Sequence, residues 1–201
     1  GILAEKQGQG NWGNGLITPI RDENGAITHF LAIQEDVSEK VKAEERVKYL
    51  TVYDELTNLC NRTSFMGQMN HWLVDKAKHT RTAVLLFIDI DGFRLINDTY
   101  GHGTGDIVLQ RIAEIIRYTS SSREKRCTHS DEDKPLVGRL GGNEFAVFLP
   151  ACNENDGMEV AEGIRKMLEK HRFVEISSHL TASIGMVLFP KDGGTVKELV
   201  T

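Results

Sequence analysis

The ten residues Thr82-Ala83-Val84-Leu85-Leu86-Phe87-Ile88-Asp89-Ile90-Asp91 constrain the fold of this chain more than any others. An unbroken apolar run of this length reads as a central β-strand covered on both faces, so the sheet that holds it needs packing layers on either side. The run ends in two carboxylates one residue apart. The two-residue period of a strand puts Asp89 and Asp91 on one face, roughly 7 Å apart. Left unpaired there, they repel. A divalent cation in an all-oxygen site relieves that repulsion, magnesium above all where phosphates complete its shell. Pairing with Arg62 or Arg94, or capping of the next helix, relieves it equally well, and the spacing leaves both open.

A second stretch has the shape of a site. Arg139-Leu140-Gly141-Gly142-Asn143-Glu144 followed by Phe145-Ala146-Val147-Phe148 reads as a tight hairpin turn that presents polar side chains at its tip and continues into a buried strand. Gly-Gly is a good turn with or without a function.

Around these two stretches the chain divides into segments. Residues 1–36 are glycine-rich and then alternating, with two β-runs joined through Asp22-Glu23-Asn24-Gly25, a hairpin too small to bury a core of its own. Asp36 or Ser38 caps an amphipathic connector over 37–52 with Glu39 in its first turn. A short parallel coiled coil between two copies is the sharper alternative for that connector. The segment Tyr53 to Arg62 has turn composition, Asn58 takes a left-handed conformation cheaply, and Asn61 caps a helix from Thr63 to about Lys78. After the central strand, Phe93 to Tyr100 and Asp106 to about Tyr118 are helical, with a glycine-punctuated break between them. Asn97 and Asp106 have the amide and carboxylate that match a guanine edge, or they are a helix end and a cap. His102 reads as a loop residue rather than a base. Residues 119–135 are polar and aperiodic, a mobile surface loop. A helix from Gly157 to about Lys170, a strand over Leu180–Phe189 and a helix beginning at Thr195 complete the 53–201 unit. The order of strands and helices predicts an α+β fold, helices packed on an antiparallel or mixed sheet.

Composition excludes more than it selects. With a net charge of −5 the chain has no basic field to hold DNA or RNA. No stretch approaches the roughly 20 apolar residues of a membrane span, so no membrane contact is expected within the chain and a cytoplasmic location is expected, with any anchor lying upstream. Cys60, Cys127 and Cys152 are far apart, and no histidines fall at metal-ligand spacing, so any metal is held by oxygen.

Three motifs, in order and spacing, resemble the GGDEF family of diguanylate cyclases: D-E-L-T-N-L-C-N-R from Asp54, F-I-D-I-D-G-F-R-L-I-N-D-T-Y-G-H-G-T-G-D from Phe87, and R-L-G-G-N-E-F from Arg139. The strands and exit of residues 1–36 resemble the end of a PAS sensor domain, whose ligand pocket would lie mostly upstream. The resemblance implies a nucleotidyl cyclase or polymerase-palm fold of ferredoxin-like type, and the joining of two GTP molecules into cyclic di-GMP by a homodimer. By position it implies that Asp89, the Ile90 carbonyl and Glu144 hold Mg2+. Asn97, Asp106 and Phe93 would take the guanine, while Gly141 and Gly142 would let the backbone approach phosphate. Arg94 stands where a phosphate-directed lysine is common, and Glu144, Asn143 and Arg94 are the catalytic candidates. Three departures stand out. Asn143 occupies a position that the family fills with Asp or Glu. The R-x-x-D product-inhibition motif is absent, its positions holding Glu132 and Pro135, so no feedback is expected there. The chain is also expected to stop before the family's last helix. The expectations that follow are a cyclase, weakened or not, a GTP-binding regulator of a neighbouring domain such as an EAL phosphodiesterase, or a dimerisation module without nucleotide.

Overall fold

The structure is a computed structural model that describes residues 3–7, 11–74, 81–121, 133–177 and 179–199. The chain separates into two compact units, Gly1–Leu50 and Thr51–Thr201.

In the first unit, strands β1 (Leu3–Gln7), β2 (Asn11–Arg21) and β3 (Ile27–Asp36) form an antiparallel sheet in that order. The hairpin expected around Asn24-Gly25 is present. Asp22 accepts from the backbone N–H groups of Asn24 and Ala26, both at 2.9 Å, and Gly25 takes a φ of 83° that side chains resist. The sheet has three strands rather than two, because Leu3–Gln7 pairs along the glycine-rich start of β2 from Gly15 to Asn11. Backbone pairing, indifferent to side chains, makes a strand of what composition marks as a lead-in. Helix α1 (Ser38–Val52) follows, and Asp36 starts it by accepting from Ser38 N–H at 2.9 Å.

The second unit is built on a five-stranded mixed sheet of order β4-β6-β7-β5-β8: β4 (Cys60–Asn61), β5 (Ala83–Ile90), β6 (Leu136–Gly141), β7 (Glu144–Pro150) and β8 (Ala182–Phe189). Only β4 and β6 run parallel. The apolar run is central as its composition requires, with β7 on one side and β8 on the other. Its alternate residues serve two cores. Val84, Leu86, Ile88 and Ile90 face helices α3 (Phe93–Tyr100), α4 (His102–Ser121) and α5 (Glu154–Lys170). Ala83 and Leu85 face α2 (Arg62–Val74) and the short α6 (Val196–Leu199), where Trp72 stacks edge-on against Phe148 and Phe189. Phe65 and Met69 are fully buried there, each worth roughly 1.5–3 kcal/mol by area removed from water.

Three boundaries differ from expectation. The break between α3 and α4 is the single residue Gly101, φ 83°, so Asp106 lies inside α4 rather than capping it. Helix α5 starts at Glu154, because Asn153 and Asp156 form a reciprocal capping box ahead of Gly157. Of the polar stretch 119–135, positions 122–132 lie outside the described residues, among them Glu132, which stands at one position of the inhibition motif that the sequence lacks. Asp133, described, is buried at 1% exposure and ion-paired to Arg81 at 2.8 Å, so that end of the stretch is anchored. The expected extension of α2 to Lys78 also falls outside the described residues beyond Val74.

Candidate functional site

The antiparallel register of β5 and β7 ends with Asp89 opposite Glu144. Odd residues of β5 and even residues of β7 share the sheet face that α2 covers, and at this last rung both carboxylates are exposed. With Arg62, Phe87, Leu140, Ser183 and Gly185 they line a cleft of about 580 Å³. Among the described residues neither carboxylate has a hydrogen-bond or ion-pair partner, and neither does Arg62. Two opposed carboxylates suit a hard divalent cation, and both offer oxygen. Among the described residues no group of three or more His, Cys, Asp or Glu converges for a metal, so the protein's acidic contribution here is two carboxylates.

Asp91 is not the third. Its carboxylate accepts from the Thr181 hydroxyl at 2.7 Å and the Ser183 hydroxyl at 2.8 Å, and these two bonds hold its pKa below the usual carboxylate value. Neither pairing with arginine nor capping accounts for it: α3 begins after Gly92, φ 67°, with no side-chain cap. That start leaves backbone N–H groups aimed out of the helix, an arrangement that favours an anion.

The turn that carries Glu144 is shaped by Gly141 at φ 153° and Gly142 at φ 51°, conformations that glycine alone takes without strain, and nothing crowds either residue. Two further contacts hold it. Asn143 Nδ2 donates to the Ile90 carbonyl at 2.9 Å, and the Ile90 N–H donates back to the Asn143 carbonyl at 3.3 Å. On the other side, Arg139 donates through Nε and Nη2 to the Gly142 carbonyl at 3.0 and 2.8 Å. Its Nη1 reaches Asp54 at 3.1 Å. Burial pushes the Asp54 carboxyl up, but the Thr57 hydroxyl and N–H together with Arg139 outweigh it and hold the pKa below the ordinary value. Asn58 is left-handed, φ 57°, and its N–H closes this wide turn on the Asp54 carbonyl.

The nucleobase candidates gather elsewhere. Asn97 on α3 and Asp106 on α4 do not line the carboxylate cleft; they belong to the helical layer on the opposite face of the sheet, with the Ile90–Gly92 turn between. Phe93 is buried there at 8% exposure. Gly105 lets Asn97 lie against α4, since a Cβ at that position would collide with Asn97 Oδ1 and come within 3.2 Å of the Phe93 ring. Arg94 turns away: its side chain is 95% exposed and 3.8 Å from Asp98. His102 is exposed at the start of α4.

Sequence reasoning named Arg62 only as a partner for the acids and missed its place on the cleft wall. It also missed Gly105, whose role is steric, and the Thr181–Ser183 pair, although two hydroxyls one residue apart on a strand are a readable signal.

A family model described as "Diguanylate cyclase, GGDEF domain" matches residues 51–201. The bifunctional diguanylate cyclase/cyclic di-GMP phosphodiesterase MucR of Pseudomonas aeruginosa is 32% identical over 162 residues, 79% of this chain and 22% of that protein. The probable diguanylate cyclase DgcE of Escherichia coli is 30% identical over 188 residues, 92% of this chain and 16% of that protein. The chain thus spans about a fifth of these relatives' length. Among solved structures, the coiled coil and GGDEF domain of DgcB from Caulobacter crescentus, in complex with c-di-GMP, superposes with a TM-score of 0.66 at 25% identity over 82% of each chain. The GGDEF domain of TpbB from Pseudomonas aeruginosa superposes at 0.62 with 36% identity, covering 74% of this chain and 81% of that one.

Proposed function

This chain belongs to the GGDEF family of diguanylate cyclases, and from that premise we propose that its cleft binds GTP with Mg2+ and, paired with a second copy, joins two GTP molecules into cyclic di-GMP. Diguanylate cyclases of this family generally use divalent metal ions. The observation that carries the reading is the register-opposed pair of Asp89 and Glu144 in one open cleft. Asp89 and Glu144 would hold a divalent ion there, and it would supply charge neutralisation for in-line attack of a ribose 3'-hydroxyl on an α-phosphate, with pyrophosphate leaving. Asp89 and Glu144 bind and orient; the uncapped start of α3 and the Arg62 guanidinium receive phosphate oxygens. Asn97 and Asp106 read the guanine edge, with Phe93 beneath them. Two active faces, each bringing one GTP, make a homodimer the working unit. The signalling helix 37–52 and the PAS-like residues 1–36 stand upstream of that unit in a cytoplasmic protein.

A second reading, a GTP-binding regulator of a neighbouring output domain such as an EAL phosphodiesterase, is favoured by Asn143. An amide offers neither negative charge nor a useful proton acceptor where the family carries a carboxylate. Incubation with GTP and Mg2+, following cyclic di-GMP beside the Asn143→Asp variant, separates the two. Turnover by the unaltered protein supports the cyclase. GTP binding without turnover in either protein supports the regulator, and absence of GTP binding sinks both.

A further inference from the structure

We infer that the Asn143 carboxamide replaces a cation in this chain: its N–H bridges the signature turn to the Ile90 carbonyl, so the turn is set without metal and the cleft keeps only the Asp89–Glu144 pair for a divalent ion. The inference rests on the cation-binding reading of the cleft and deepens it.

At 2.9 Å from Ile90 O, an atom must be a donor, and of the two ends of a carboxamide only the nitrogen qualifies. The return bond from Ile90 N–H to the Asn143 carbonyl makes the contact a closed pair, one rung beyond the last ladder position, where Asp89 meets Glu144. The clasp therefore fixes the distance between the two strand ends from which the carboxylates project. A carboxylate at position 143 in the same rotamer would put oxygen against oxygen, acceptor against acceptor. That arrangement holds only when a cation sits between them. An acidic side chain in that rotamer would need a cation to bridge it to the Ile90 carbonyl, whereas Asn143 bridges directly. It also engages a lone pair of the Ile90 carbonyl with a donor and withholds one negative charge, so the cleft binds divalent ions more weakly than an acidic version would.

Thermal melting of the whole chain, in EDTA and in Mn2+, with and without the Asn143→Asp and Asn143→Ala substitutions, tests this without recourse to turnover. The unaltered protein gains in Mn2+ only the small stabilisation that a weakly held ion at Asp89–Glu144 supplies. Asn143→Asp melts lower in EDTA and recovers in Mn2+, and its Mn2+ affinity, read by calorimetry or electron paramagnetic resonance, is about tenfold tighter. Asn143→Ala, which loses the clasp without adding charge, melts lower in EDTA and does not recover. Equal responses of the unaltered protein and Asn143→Asp to Mn2+, or recovery of Asn143→Ala, overturn the inference. Failure to bind GTP in a parallel titration overturns the nucleotide reading instead and leaves the metal comparison intact.

Discussion

Asp89 and Glu144 are held face to face by the β5–β7 register, at the last rung of that ladder. Like charges directly opposite on neighbouring strands destabilise a sheet by some tenths of a kcal/mol to about 1 kcal/mol. Neutralising either one, as Asp89→Asn or Glu144→Gln, therefore leaves stability unchanged or raises it by about 0.5 kcal/mol in denaturant melts. The same change abolishes the Mg2+-dependent part of GTP binding by calorimetry. A fall in both stability and affinity would mean that these carboxylates serve the fold.

The central strand, its two carboxylates and the glycine turn were legible in the sequence because each rests on a local rule: an unbroken apolar run, a period of two, a turn that needs positive φ. The fate of Asp91 was not, since the hydroxyls that hold it come from Thr181 and Ser183, ninety residues away in the chain and adjacent only through the β5–β8 register. Arg62 escaped for a similar reason: its place on the cleft wall follows from where α2 packs, which no local pattern encodes. Asn143 was legible as a departure, but its bond to Ile90 required the strand pairing.

Gly105→Ala tests the helical layer. Alanine favours a helix over glycine by up to about 1 kcal/mol, which offsets part of the strain from displacing Asn97, so net stability stays within about 1 kcal/mol. Guanine recognition does not have that compensation. GTP affinity falls about tenfold and the preference for GTP over ATP narrows, measured by fluorescence titration of both nucleotides. Unchanged selectivity would remove Asn97 from the base site.

Arg62 lies in the first turn of α2, where a cation opposes the helix dipole. Arg62→Ala accordingly raises the melting temperature slightly or leaves it alone. It weakens GTP about tenfold, the loss of one charge-assisted phosphate contact, and weakens GMP less because fewer phosphate oxygens reach the guanidinium. Equal effects on GTP and GMP would argue against a polyphosphate contact.

Asp133 is enclosed, its side chain fully buried, with Arg81 at 2.8 Å and the Trp72 indole N–H at 3.4 Å as donors. Arg81→Ala removes a bidentate guanidinium from a buried carboxylate and costs about 3 kcal/mol in urea unfolding. Arg81→Lys recovers part of that. GTP affinity stays the same, because the pair lies among the side chains packed against α2 and lines no part of the cleft.

Arg139 joins stability to the site, and pH separates its two roles. The folded Asp54 carboxyl titrates below its unfolded value of about 3.9, so its contribution is fully present above about pH 4 and is lost as pH falls through the folded pKa. Arg139→Ala removes part of what depresses that pKa, which moves the onset of acid unfolding to higher pH, while the Thr57 hydrogen bonds preserve the remainder. At neutral pH the same substitution strips two donors from the Gly142 carbonyl and loosens the turn that positions Glu144, so Mg2+-dependent GTP binding weakens there as well. Arg139→Lys can pair with Asp54 or Gly142 but lacks the planar fork that spans both at once. It restores the acid limb more than it restores nucleotide affinity, a split read from a pH series of melts beside a titration at pH 7. Parallel recovery of both would mean that the Asp54 contact alone sets the turn.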